Sequence, residues 1–157
     1  MADSSGLLLA ISLAERKRDE VIRALAQSQQ NVQAAMGQLD QLRSYAGDTD
    51  HRWVRTGSVG LSVELIKHHY QFSGRLQQAI SMQDGVIANL QRHVEGVKQQ
   101  LQLAESRLSG LNSVLKKRRA EAERIAQRRD QAQMDEMAAQ LFARTRAQQT
   151  QVKHDDH

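Results

Sequence analysis

The chain has 157 residues, with 22 Lys or Arg against 18 Asp or Glu, no proline, no cysteine, one Trp, two Tyr and two Phe. Lack of cysteine excludes a disulfide framework, a thiolate nucleophile and a Cys-based zinc site, and so few aromatics leave little bulk for a thick core. Without proline every backbone N–H is free to join a helical ladder, so the composition suits long helices rather than a globule.

Asp3, Ser4 and Ser5 are good N-cap residues, because their side-chain oxygens accept from unpaired helix amides. They predict a first helix over about residues 5–46. Its greasiest stretch, Leu7-Leu8-Leu9-Ala10-Ile11, is far shorter than the ~20 residues of a membrane span. The start also lacks the basic residues and cleavage site of a secretory signal, so the expectation is a soluble, cytoplasmic protein. A seam runs along this helix at Ile11, Ala14, Arg18, Val21, Leu25, Ser28, Val32, Ala35, Leu39, Leu42 and Ala46, and all but Arg18 and Ser28 are apolar. Steps alternating between three and four average 3.5 residues and keep one face of an underwound helix against a partner.

Gly47-Asp48-Thr49-Asp50 supplies exit chemistry, since Gly tolerates positive φ and Asp makes local turns. With the weak patch Thr56-Gly57-Ser58-Val59-Gly60 it predicts a connector over about 47–59. Trp53 falls in that connector and is expected to cap the hairpin end against Ala46 or Ile66. A second helix is predicted over about 60–145. Its seam is longer: Leu76, Ile80, Gln83, Ile87, Leu90, Val94, Val97, Leu101, Ala104, Leu108, Leu111, Leu115, Arg118, Ala122 and Ile125, apolar except at Gln83 and Arg118. Gly74, Gly85, Gly96 and Gly110 fall within it, each costing up to about 1 kcal/mol relative to Ala, too little and too dispersed to break it. Residues 148–157 lack periodicity and are expected to be disordered.

A short connector between two helices implies an antiparallel hairpin. The fold class is therefore all-α, an antiparallel coiled-coil hairpin with the longer helix second, forming a single domain over 1–147. At 1.5 Å per residue the helices would reach roughly 60 and 125 Å. On those bounds the first helix ends opposite residues near 100, leaving the seam from 101 to 125 facing water as a partner site. Self-association would also cover it.

Charge is uneven along this frame. Residues 1–50 hold five basic and seven acidic side chains; the other 17 basic and 11 acidic lie beyond. Lys116, Lys117, Arg118, Arg119, Arg124, Arg128 and Arg129 form a stripe opposed locally by Glu121 and Glu123. It suits an acidic protein, a nucleic acid or a membrane surface, or is a solvated face. Base-edge readers and stacking aromatics do not interleave with it, which argues against nucleic acid.

Chemistry is sparse. His68 and His69 are adjacent and point about 100° apart on a helix. Among the histidines only His154 and His157 have helical ligand spacing, and with Asp155 and Asp156 they read as a charged tail rather than a metal site. No phosphate-cradling loop or nucleophile motif occurs. No cofactor, metal or catalytic residue is expected, and the chain is not read as an enzyme.

Four pieces in order resemble the FliJ family: Leu13-Ala14-Glu15-Arg16-Lys17; Gln38-Leu39 through Leu42 to Tyr45; Phe72 through Leu76 to Ala79-Ile80; and Lys116-Lys117-Arg118-Arg119 through Met134-Asp135-Glu136-Met137-Ala138. The resemblance covers roughly residues 7–146. FliJ proteins are the soluble stalk of the bacterial flagellar type III export apparatus. The resemblance implies a fold similar to the γ stalk of rotary ATPases, docking on the hexameric export ATPase FliI, contact with the export gate protein FlhA and handling of export chaperones. It also implies a cytoplasmic location, peripheral to the inner membrane through partners.

In that family a strip across both helices binds the gate, and the matching positions here are Gln38, Leu42, Tyr45, Phe72, Leu76 and Ala79. Thr49 stands where the family has an aromatic, and Gln83 where it has a His. Leu42 and Leu76 also lie on the seams, whereas Tyr45 and Phe72 lie off them and are the better candidates. The overhang, with Leu108, Leu115, Arg119, Arg124, Arg128, Met134, Asp135 and Glu136, is the candidate surface for the ATPase. The competing readings are a self-associating structural coiled coil and a basic nucleic-acid-binding coiled coil.

Overall fold

A computed structural model describes residues 4–56, 60 and 62–156. It contains two helices, α1 (Ser5–Thr56) and α2 (Val63–Asp155), packed as an antiparallel hairpin. Ser4 opens α1, its carbonyl accepting from the Leu8 amide at 2.9 Å. Ser62 opens α2: its hydroxyl oxygen accepts from the Leu65 amide at 3.4 Å and its carbonyl from the Ile66 amide at 3.2 Å. Asp3 and residues 57–59 and 61 lie outside the described residues.

Contacts group the chain into two units, Ser12–Leu108 and a second joining Met1–Ile11 with Ser109–His157. In the first, the register is fixed by cross-helix contacts. The Gln83 amide donates to the Ala35 carbonyl at 2.9 Å and to Gln38 Oε1 at 3.1 Å. Ala35, Leu39 and Ile87 form a buried cluster, with Ile80 and Leu90 packed against it. Nearer the connector, the Trp53 indole stacks on the His69 imidazole, centroids 3.9 Å apart and planes 2° from parallel. Asp50 lies 4.0 Å from His69 Nε2.

All eleven predicted seam positions of α1 are buried or half-buried. The two polar exceptions are accommodated differently. Ser28, 2% exposed, donates its hydroxyl to the Leu25 carbonyl at 2.8 Å and so is satisfied within its own helix. Arg18 keeps its stem half-buried and turns its guanidinium to Asp19 at 3.0 Å, as long cationic side chains commonly do. With one neighbouring helix, burial stays shallow: the accessible surface is 13158 Å², against about 8,000 Å² expected for a compact monomer of this mass.

The helix bounds differ from the sequence reading. α1 does not stop near residue 46 but runs to Thr56, with Gly47 at negative φ. Its seam continues through half-buried Thr49 and Trp53, and packing outweighs the local exit signal. The Thr49 hydroxyl, expected to help a turn, donates to the Tyr45 carbonyl one helical turn back at 2.8 Å. Trp53 is thus a helical residue stacked on His69 rather than part of a connector. At the other end α2 continues through 148–155, where disorder was expected. Gln, Ala and Arg are adequate helix formers there, and the Thr145 and Thr150 hydroxyls bond carbonyls four residues back. The four glycines leave α2 unbroken, as expected.

Candidate partner-binding surfaces

The longer α1 moves the point at which α2 loses its partner. Leu101 and Ala104 are half-buried and Leu108 is 7% exposed. In the second unit Leu111 and Leu115 are still half-buried. The expectation that the seam from 101 to 125 faces water is therefore corrected: coverage reaches Leu115, and only Arg118, Ala122 and Ile125 are exposed. Leu108 and Leu115, read as candidates for an outside hydrophobic contact, are covered by their own chain.

Beyond Leu115 every described residue to Asp156 is exposed. Arg119, Arg124 and Arg128 all present their charge to solvent; Arg124 makes only a 3.4 Å contact to Glu121 three residues away. Both partners are exposed, so that contact contributes little. Met134 is 67% exposed, Asp135 accepts from the Gln131 amide at 3.1 Å, and Glu136 is exposed.

The seam register fails here, its next positions after Ile125 being Arg129, Ala132 and Glu136. Apolar residues return in a different row. Met134, Met137, Leu141 and Phe142, at i, i+3, i+7 and i+8, are all 60% exposed or more. Of these only Met134 is among the contact residues expected from the sequence, Met137 entering there only as part of the family motif. Scoring helical spacing independently of the hairpin heptad would have found the other three.

The second surface lies in the Ser12–Leu108 unit. Tyr45 of α1 and Phe72 of α2, 54% and 40% exposed, meet edge to face with centroids 5.9 Å apart and planes at 79°. The fold therefore joins the two off-seam aromatics into one patch, a favourable arrangement of ring quadrupoles. Leu42, Leu76 and Ala79 are half-buried beside it, and Gln38 is exposed. Gln38, Gln41, Leu42, Tyr45 and Gln83 line a shallow groove. Gln83 spans the helices by its amide, and the Arg43–Asp84 pair, 3.8 Å apart, adds a cross-helix contact close by. The six predicted positions thus fall on one strip across both helices, in which the aromatic pair and Gln38 are the accessible part.

No helix among the described residues is long and apolar enough to cross a membrane, and no group of three or more metal-ligating side chains occurs among them. No curated protein and no solved structure matches the chain. The model of one family, described as the flagellar FliJ protein, matches residues 7–147. That match spans both helices, the aromatic strip and most of the exposed arm, and this chain belongs to the FliJ family, a structural component of flagellar protein export.

Proposed function

We propose that this protein is the non-catalytic stalk that couples the flagellar export ATPase, FliI, to the export gate protein FlhA, and that it assists chaperone recycling. It acts in the cytoplasm at the flagellar base, peripheral to the inner membrane through these partners. The observation that carries the reading is the unequal hairpin: after Leu115 α2 continues as an exposed arm to Asp155, a length of roughly 60 Å at 1.5 Å per residue.

The arm is the ATPase-docking element, through Arg119, Arg124, Arg128, Met134, Asp135 and Glu136. Leu108 and Leu115 support it from inside the hairpin rather than touching the ring. Rim charges govern encounter rate and salt sensitivity, while apolar contacts govern residence. The strip of Gln38, Leu42, Tyr45, Phe72, Leu76 and Ala79 is the gate-docking element, with Tyr45 and Phe72 as its anchors.

Binding of the full chain to the purified ATPase and to the gate's cytoplasmic domain, with the ATPase rate measured, tests this. Deleting residues after Lys116 abolishes ATPase binding and stimulation and leaves gate binding intact. Undiminished stimulation by the deleted chain removes the arm as coupling element.

A further inference from the structure

The row of Met134, Met137, Leu141 and Phe142 has no cover among the described residues, and its surroundings say what suits it. About 100° per residue places Arg124, Arg128 and Arg146 to one side of the row and Arg144 to the other. Over residues 116–146 nine side chains are basic and five acidic. Methionine and leucine with one phenylalanine make an adaptable apolar strip, two turns long and out of register with the hairpin seam.

We propose that this row is a docking groove for a short acidic amphipathic helix of another protein. Its apolar residues, at i, i+3 and i+7, pack on Met134, Met137 and Leu141, and its flanking carboxylates meet the arginines. The mode is helix-on-helix recognition through a few spaced anchors. The inference rests on the reading of the arm as a docking element and adds the chemical class of its occupant.

Net charge favours a different protein over a second copy of this chain. Pairing two copies would bring together two segments that each carry nine basic and five acidic side chains over residues 116–146, and like net charge opposes association. An anionic lipid surface fits less well than a protein helix, because Asp130 and Asp135 lie beside the row and Glu136 behind it. A flat sheet of anionic headgroups repels such carboxylates, whereas a protein partner can match them singly.

The test uses the full chain and two synthetic helical peptides of about 20 residues, long enough to hold helix in isolation. Both carry Leu at i, i+3 and i+7; one is flanked by Glu and its twin by Lys. Fluorescence anisotropy is expected to show the Glu peptide binding at least about tenfold more tightly than its twin, a difference of ~1.4 kcal/mol. Met137→Ser with Leu141→Ser loses that binding with Tm unchanged, since both side chains are exposed in the free chain. Arg124→Glu with Arg128→Glu inverts the preference toward the Lys peptide.

Indifference to peptide charge overturns the proposal. So does binding to vesicles containing about one third anionic lipid when neither peptide binds, or a dimer in sedimentation that the double Ser variant dissolves. The outcomes separate from those of the ring reading. Peptide preference with ATPase stimulation that survives removal of the arm supports the groove and removes its ring role. Stimulation lost on deletion with no peptide preference overturns the groove alone.

Discussion

Leu108→Ala separates a seam covered by its own chain from one waiting for a partner. Leu108 is 7% exposed, so the substitution strips three carbons from a packed interface. At about 0.8 kcal/mol per buried CH₂ the transfer loss is roughly 2.4 kcal/mol. The cavity term adds to this, but two helices can close together over a small void more readily than a many-sided core. The expected cost is therefore near the low end of the usual Leu→Ala range, about 2–3 kcal/mol. For a chain of this length that lowers Tm by roughly 4–12 °C. Circular dichroism melts and urea titration of the isolated protein measure it, with Met137→Ala as the internal control. Met137 is 63% exposed, and its truncation is expected to change stability by less than about 0.5 kcal/mol. A Leu108→Ala cost as small as that of Met137→Ala would refute the coverage of α2 as far as Leu115. The arm would then begin some two turns earlier.

Three further outcomes follow from the same geometry. Tyr45→Ala with Phe72→Ala abolishes gate binding in a pulldown and costs stability as well, since the edge-to-face pair alone is worth about 0.5–1.5 kcal/mol; full gate binding by the double variant would refute the strip. Gly96→Ala raises Tm, because a Cβ there meets nothing within 4 Å and Ala exceeds Gly by up to about 1 kcal/mol in a helix; a lowered Tm would show an undetected close approach. Charge reversal at Arg119, Arg124 and Arg128 slows association with the ATPase and flattens its salt dependence in stopped-flow measurements, with little change in the dissociation rate; an altered off-rate alone would place those arginines in a buried contact.

Both seams were legible from spacing because a coiled-coil interface is one-dimensional. Each three-four step decides a single position, and Ser28 and Gln83, which break the apolar rule, keep their places through hydrogen bonds. The exit of α1 was not legible. Gly47-Asp48-Thr49-Asp50 carries the local chemistry of a turn, yet Thr49 and Trp53 continue the seam and the helix with it. That displaced end propagated down the hairpin, since every extra turn of α1 near the connector covers another turn of α2 at the far end. The assignment of Leu108 and Leu115 to an exposed surface failed for this reason alone. Tyr45 and Phe72 were legible as off-seam aromatics, but their mutual contact depends on register, which spacing on each helix separately does not supply. Met137, Leu141 and Phe142 were overlooked as contact residues because the heptad that organises the hairpin was extended past the residues that obey it.

The cross-helix contacts are nested about the connector, and this sets an order for assembly. Trp53 and His69 enclose a short loop, and Ala35 and Gln83, separated by 48 positions, a much longer one. Loop closure costs more as the enclosed segment lengthens, so the aromatic stack is the entropically cheaper contact to close, and each rung formed outward from it shortens the search for the next. The rungs farthest from the stack are the last to close and the first to open. Amide hydrogen exchange should therefore rise along α1 toward its N-terminal turns. The end of the hairpin that opens most readily is then the one from which the arm emerges.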